Sequence, residues 1–108
     1  MKNMPAAREL AIPIPHERIA EFCRKWGIRK LSFFGSVVRD DFDPERSDVD
    51  VLVEFKAEVK PGLEYFGTMP TELSKILGGR KVDLMTGIHD AFWPYVEPDL
   101  VSEYDETD

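Results

Sequence analysis

The chain has 108 residues and a formal net charge of -7, from 14 Lys and Arg against 21 Asp and Glu. This length fits one small domain, and the acidic balance argues against a protein that holds nucleic acid mainly through its phosphates, so a phosphate-bearing ligand would need a metal here. The single cysteine, Cys23, excludes an internal disulfide and any cysteine-cluster zinc site, as expected in a reducing compartment.

Targeting and domain signals are few. No segment approaches the roughly 20 consecutive apolar residues of a membrane-spanning helix. Arg8, Glu9 and nearby prolines interrupt any apolar core at the start, so we expect no secretory signal and predict a cytoplasmic protein without membrane contact. We predict one domain over residues 1–108, with its core at about 15–88, an extended lead-in at 1–14 and an acidic tail at 103–108.

The first regular elements are a helix and a strand. Pro13 and Pro15 favour extended backbone up to the helix start, and Gly27 is well placed to end the helix. Between them, apolar residues recur at the three- and four-residue spacing of an amphipathic helix: Ile19, Phe22, Cys23 and Trp26. The run Arg29–Phe34 then predicts the first strand, closed by a tight turn at Gly35.

The clearest strand prediction covers Asp48–Phe55. A helical turn at Ser36–Arg39 and a polar loop over 40–47 precede it. One face of the strand is apolar, with Val49, Val51, Val53 and Phe55, and the other carries Asp48, Asp50, Leu52 and Glu54. We expect the apolar face to pack on helices, which leaves the carboxylates facing away from that layer.

The rest of the chain predicts one more helix and one more strand. Five apolar residues indicate the helix: Leu63, Phe66, Leu73, Ile76 and Leu77. Gly78 and Gly79 end it, and Gly67 and Pro70 are candidate interruptions of its first half. Arg80–Thr86 is the third strand, and only short helical pieces fit before the acidic tail. This order predicts an α+β fold, with a small mixed sheet and helices packed on one face.

Three aspartates form the candidate metal site. Asp48 and Asp50 are two residues apart on one strand, so their side chains leave the same face. Asp83 lies between Val82 and Leu84 in another apolar strand, where a buried carboxylate without a partner would be costly. A shared cation would remove that cost, and carboxylate oxygens suit Mg²⁺ rather than zinc. The alternative for Asp83 is an exposed strand position with an ion pair to Arg80 or Lys81.

Gly35 and Ser36 form the complementary candidate phosphate site. They follow directly on a strand, at the start of the predicted helical turn. Glycine lets the backbone approach a ligand closely, and a serine hydroxyl with successive N–H groups can bind phosphate oxygens. Together with the carboxylates, this turn predicts a site for a nucleoside triphosphate.

These motifs resemble the nucleotidyltransferase fold of DNA polymerase beta. The resemblance rests on the run Phe34–Arg39, the segment Asp48–Asp50 and Asp83 in a later strand, and it covers about residues 17–86. Within that superfamily, the small size and the segment Ser47–Phe55 are similar to the minimal nucleotidyltransferases (MNT), the antitoxins that pair with HEPN toxins.

The resemblance implies an activity. The chain would transfer AMP from ATP to a hydroxyl, with a tyrosine of a cognate HEPN-type toxin as the acceptor, and would neutralise that toxin in a hetero-oligomeric complex. Asp48, Asp50 and Asp83 would be catalytic and would bind two Mg²⁺ ions. Asp83 would bind the ion nearest the attacking hydroxyl and help to take its proton, which a tyrosine with a pKa near 10 requires at neutral pH.

The resemblance also implies the nucleotide contacts. Gly35 and Ser36 would hold the triphosphate, and Arg39 and Ser47 are the further cofactor-binding candidates. For Arg39 the alternative is a surface ion pair with neighbouring acids, and for Ser47 it is a turn or cap role.

Two other functions stay open at this stage. One is a non-catalytic antitoxin that neutralises its partner by occlusion, and the other is nucleotidyl transfer to a small molecule. We expect no direct binding of nucleic acid. A calcium-binding hand is excluded because Arg46 stands where glycine is needed and Leu52 where glutamate is needed, and the sequence has no Walker-type phosphate loop.

Overall fold

A computed structural model of the chain describes residues 10–39 and 41–106. Its main elements in chain order are α1 His16–Trp26, β1 Ile28–Phe34, β2 Val49–Phe55, α2 Thr68–Ile76, β3 Val82–Met85, α3 Trp93–Val96 and β4 Val101–Asp105. Three 3-10 turns cover Gly35–Val38, Leu63–Phe66 and Glu97–Asp99. The strands form one sheet in the order β3-β2-β1-β4, with β2 and β3 parallel and the other two pairs antiparallel. The predicted α+β fold with a small mixed sheet is confirmed.

The core lies between the two longer helices and one face of the sheet. In the β1–β2 register, Leu31 lies opposite Val53 and Phe33 opposite Val51, and all four side chains are fully buried. The helices contribute the other large buried side chains of this cluster: Ile19 and Phe22 from α1, Met69 and Leu73 from α2. Burying one such side chain stabilises a fold by about 1.5–3 kcal/mol, so this face holds the domain together. The predicted burial of the apolar face of β2 is confirmed.

The second face of the sheet carries the acidic residues of β2. Phe34 pairs with Asp50 in the register, and Ser32 pairs with Leu52. Ser32, Phe34 and Leu52 are buried although they point away from the helices, so this face is covered over part of its length. The connection from β3 to β4 runs from one edge of the sheet to the other, and its turn Glu97–Asp99 contacts β1.

Glycines end or divide the helices where the sequence predicts. Gly27 ends α1 with φ +70°, and a Cβ at this position would lie 2.5 Å from Val59 Cγ2. Gly67 divides the predicted second helix into a 3-10 turn and α2. Pro70 falls in the first turn of α2, where its missing N–H breaks no bond within the helix. Leu63 is 86% exposed, so its assignment to the apolar helix face is wrong.

The C-terminal strand is the main departure from the sequence prediction. Residues 103–105 were expected in an acidic tail, but they belong to β4, which pairs with β1. Val101 and Tyr104 pack against the core, so the core extends beyond residue 88. The carboxylates of β4 and of the next residue have basic partners: Glu103 with His16 at 2.5 Å, Asp105 with Lys30 at 4.0 Å and Glu106 with Lys56 at 3.0 Å.

The start of the chain also contributes to the core. Residues 10–14 have no helix or strand, as the lead-in prediction expects, but Ile12 is buried within the core cluster. The Ala11 N–H donates to the carbonyl oxygen of Val37 at 2.8 Å and fixes this segment beside the turn after β1. Residues 1–9 of the predicted lead-in, Asp40 of the predicted loop and residues 107–108 of the predicted tail lie outside the described residues. Within the described ranges, no helix has the length and apolar character needed to cross a bilayer.

Candidate active site

The strand register brings the three aspartates to one end of the sheet. Asp50 lies opposite Asp83 in the parallel β2–β3 pair, and Asp48 stands two residues before Asp50, directly before the first residue of β2. Asp48 and Asp50 point to the second face because Val49 between them is buried on the helix-covered face, and Asp83 shares this face because it pairs with Asp50. Among the residues that the structure describes, no three His, Cys, Asp or Glu side chains form a group that is already arranged to hold a metal ion.

Asp50 is the electrostatic centre of the group. Burial raises the pKa of its carboxyl to about 6, and the charges of Asp83 and Asp48 act in the same direction, while Arg39 lowers it. Because the three carboxylates repel one another, a divalent cation between them would be favourable. The donors are all carboxylate oxygens, which is the ligand type that Mg²⁺ prefers, so the residues present fit that ion.

Asp83 is exposed, which is the alternative considered for this position. The desolvation cost that a buried carboxylate would carry in this strand therefore does not arise. β3 is an edge strand, and Val82 and Leu84 pack against the core on the opposite face. Neither Arg80 nor Lys81 forms an ion pair with Asp83 in the described residues: Lys81 Nζ lies 3.9 Å from Asp48 Oδ2 instead.

Gly35 lies directly against Asp50. Its φ is +77°, a left-handed conformation that favours glycine, and a Cβ there would lie 2.2 Å from Asp50 Oδ2. The backbone of the turn therefore approaches the carboxylate more closely than any other residue would permit. Ser36 follows in the same 3-10 turn and is half-buried. The candidate phosphate turn and the candidate metal ligands thus form one continuous site.

Arg39 lies at the rim of this site and bridges two carboxylates. Its Nε donates to Asp41 Oδ1 at 3.1 Å, and its Nη1 donates to Asp99 Oδ2 at 2.6 Å. These bonds, first to Asp41 and then to Asp99, raise the pKa of Arg39. The structure therefore shows the ion-pair alternative for Arg39. Sequence reasoning missed Asp99, because it lies 60 residues away along the chain and only the β3–β4 connection brings it here.

Ser47 has a local structural role in the loop before β2. Its Oγ accepts a hydrogen bond from the Asp43 N–H at 2.9 Å, and its own N–H donates to the Asp43 carbonyl at 2.8 Å. These bonds close a turn directly before Asp48. Ser47 therefore has the turn or cap role that was the alternative to a nucleotide contact. Ser47 thus helps to fix the start of β2, where the first aspartate stands.

The remaining residues considered from the sequence lie outside the site. Cys23 is fully buried on α1, and burial raises the pKa of its thiol to about 12, so it stays neutral. His16 pairs with Glu103 of β4, and His89 accepts a hydrogen bond from the Ala91 N–H at 3.0 Å. Neither histidine belongs to a metal-binding group among the described residues.

Comparison with known proteins identifies the family. The model for the family described as "Nucleotidyltransferase domain" matches residues 17–105. That match includes all four strands and all the candidate site residues.

Two relatives come from Methanocaldococcus jannaschii. "Putative protein adenylyltransferase MJ1379" is 36% identical over 102 residues, which cover 93% of this chain and 93% of the relative. "Putative protein adenylyltransferase MJ0435" is 33% identical over 86 residues, which cover 80% of this chain and 86% of the relative. The comparison with solved structures gave no significant match.

Proposed function

Because the chain belongs to the nucleotidyltransferase domain family, we propose that it transfers AMP from ATP to a hydroxyl group of a partner protein, with Mg²⁺ bound at the three aspartates. The observation that carries this proposal is the arrangement around Asp50. This carboxylate lies opposite Asp83 in the sheet and in contact with the Gly35 turn, so the proposed metal ligands and the proposed phosphate-binding turn are adjacent.

The three aspartates and the Gly35 turn have different roles in this proposal. Asp48, Asp50 and Asp83 would hold the metal, which when bound neutralises phosphate charge and assists the attacking oxygen. Gly35 and Ser36 would hold the triphosphate on the β1 side of Asp50, through backbone N–H groups and the Ser36 hydroxyl. Arg39 would have to break its bonds to Asp41 and Asp99 before it could pair with a phosphate oxygen.

The transfer itself is a substitution at the α-phosphorus. The acceptor oxygen forms a bond to that phosphorus, the bond to the pyrophosphate breaks, and the hydroxyl proton must leave. Asp83 is exposed at the sheet edge, where an acceptor can reach it, and we assign to its carboxylate the removal of this proton. A tyrosine hydroxyl has a pKa of about 10, so at neutral pH it needs such a group.

A protein is the acceptor that the chain favours. Both relatives are named as protein adenylyltransferases, and one of them aligns over nearly its whole length. The described residues form a single sheet with its helices, and they contain no further layer that would enclose a small molecule. The net charge of -7 disfavours a nucleic-acid acceptor. We therefore assign the rest of the acceptor geometry to the partner protein.

The proposed partner is a HEPN-type toxin, modified on a tyrosine and thereby neutralised in a hetero-oligomeric complex. The test is co-expression in bacteria with a candidate HEPN-type toxin that arrests growth. We expect the unmodified chain and Glu58→Ala, a control at an exposed acid outside the site, to restore growth. We expect Asp48→Ala with Asp50→Ala to fail while it still co-purifies with the toxin. Full protection by the double variant would show neutralisation by binding alone.

A further inference from the structure

A second charged site lies next to Asp48, on the side of β2 that faces β3. It is a polar cleft of about 500 Å³ between the loop 44–48 and the turn 78–81. Its charged lining residues are Arg46, Arg80, Lys81, Glu45 and Asp48. The cleft therefore gathers three cations against two carboxylates in a chain whose net charge is -7. Asp48 is also one of the proposed metal ligands, so a bound metal would make the cleft more positive.

The turn that ends α2 is built around the guanidinium group of Arg80. Its Nη1 donates to the carbonyl oxygen of Leu77 at 2.8 Å, and Ser74 Oγ donates to the carbonyl oxygen of Arg80 at 2.6 Å. A Cβ on Gly78, whose φ is +82°, would lie 2.8 Å from Arg80 Nη1, so the guanidinium packs closely over the glycine. The position of Arg80 is thus fixed by the turn.

Arg80 also carries an unused donor. Its Nε is buried and has no hydrogen-bond partner in the described part of the chain. Because this Nε is buried, Arg80 would act on an anion in the cleft mainly through its charge, and the direct contacts would come from the exposed cations. Lys81, with a side chain that is 81% exposed, and the exposed Arg46 can adjust to such an anion.

The sheet order places this cleft opposite the phosphate turn. Gly35 follows β1, which flanks β2 on one side, whereas Lys81 precedes β3, which flanks β2 on the other. The Val49 N–H donates to the Lys81 carbonyl at 2.8 Å, so the cleft begins beside the first aspartate. If the triphosphate lies on the Gly35 side, the β3 side, with the exposed Asp83, is the side from which the acceptor approaches.

We propose that this cleft binds a carboxylate side chain of the acceptor protein close to the hydroxyl that is modified. The proposal rests on the proposed function and adds a substrate preference to it: hydroxyl groups flanked by Asp or Glu. Three cations arranged around one opening suit a carboxylate, which accepts hydrogen bonds from Arg and Lys. The cleft thereby positions the acceptor and selects it by charge.

The experiment measures binding to the cleft without requiring transfer. The full chain, labelled with ¹⁵N and saturated with Mg²⁺ and a non-hydrolysable ATP analogue, is titrated at constant ionic strength with two blocked peptides, Glu-Glu-Tyr-Glu-Glu and Gln-Gln-Tyr-Gln-Gln. The readout is the shift of the Gly78–Lys81 amides and of the Arg46 side-chain N–H. We expect the acidic peptide to shift these signals and the neutral peptide to leave them unchanged.

Charge variants define the contacts. Arg46→Gln and Lys81→Gln should each weaken binding of the acidic peptide by about two- to fivefold, as expected for one exposed ion pair. Lys60→Gln removes an exposed lysine outside the cleft and should leave the affinity unchanged. Arg80 is left intact, because replacing it would also disturb the turn.

Three results would overturn the proposal. They are equal binding of both peptides, no shift with either peptide, and displacement of the acidic peptide by inorganic triphosphate, which would make the cleft part of the nucleotide site. The proposed function fails by a different result, the absence of AMP on any partner protein. The two failures are therefore separate.

Discussion

Replacing Gly35 by alanine would place a methyl group where the Asp50 carboxylate lies. The new Cβ would be 2.2 Å from Asp50 Oδ2, whereas ordinary contacts begin near 3.4 Å, so the carboxylate must move by about 1 Å. Alanine at φ +77° also costs about 1–2 kcal/mol in backbone strain. In a domain of this size that strain lowers Tm by about 5–10 °C. Gly35→Ala should therefore fold, with reduced stability and a displaced Asp50 carboxylate, which is the proposed metal ligand.

The functional consequence should exceed the loss of stability. Mutating a residue that orients a metal ligand typically weakens metal binding by about 10–100-fold. We expect Gly35→Ala to weaken Mg²⁺-dependent ATP binding by that factor. Isothermal titration calorimetry with Mg²⁺ and ATP measures the affinity, and thermal unfolding in EDTA measures the stability without metal.

Gly79→Ala is the matched control. Gly79 has φ +86°, but nothing lies within 4 Å of a Cβ at that position. This variant should show a similar loss of Tm and the affinity of the unmodified chain for Mg²⁺ and ATP. The reasoning is refuted if Gly35→Ala binds Mg²⁺ and ATP as tightly as the unmodified chain, or if Gly79→Ala weakens binding to the same extent.

Three further substitutions test the electrostatics, the last strand and the loop. Asp50→Asn should stabilise the metal-free protein at pH 7, because the folded pKa of about 6 lies above the unfolded value of 3.8 and the ionised carboxylate is disfavoured in the fold. As pH rises from about 4 to above 6, the free energy of unfolding of the unmodified chain should fall relative to that of this variant. Urea unfolding in EDTA measures this difference, and a difference that does not change with pH would contradict the raised pKa of Asp50. Tyr104→Ala should lower stability by about 2 kcal/mol in urea unfolding, since Tyr104 packs on the core, while the exposed Ser102→Ala stays within about 0.5 kcal/mol; equal losses would mean that β4 does not support the core. Ser47→Ala should lower stability by about 1 kcal/mol through loss of the hydrogen bond from Asp43, and an unchanged Tm would exclude that role.

The sheet centre and its site were predictable because their signals are local. The alternation of Val49, Val51 and Val53 with acidic residues specifies both faces of β2, and the structure follows it. Gly35 follows β1 directly, so its position beside β2 depends only on two neighbouring antiparallel strands. The pairing of Asp50 with Asp83 then requires one further parallel strand.

The sequence did not predict β4, for two physical reasons. A register irregularity between Leu31 and Ser32 lets Val101 and Tyr104 both pack on the core despite their odd spacing, so the alternation that indicates a strand is lost. The acidic residues of this segment also suggested a solvated tail. Each of these carboxylates pairs with a basic side chain from α1, β1 or the residue after β2, and only the folded chain brings these partners together.

The charged surroundings of the site depend on long-range contacts in the same way. Arg39 meets Asp99 through the β3–β4 connection, and Lys81 reaches Asp48 through strand pairing. The cationic cleft combines two segments that are about 30 residues apart in sequence, each of which alone is an unremarkable loop. The periodic patterns that indicate strands (period two) and helices (period 3.6) carry no information about such long-range contacts.

The central claim is that the three aspartates and the Gly35 turn catalyse transfer of AMP to a protein. Intact-mass spectrometry of a candidate HEPN-type toxin, incubated with the chain, Mg²⁺ and ATP, tests it most directly. We predict a mass gain of one or more AMP units on the toxin, which is absent with Asp48→Ala/Asp50→Ala and present with Glu58→Ala. An unchanged toxin mass in a stable complex with the unmodified chain would contradict it.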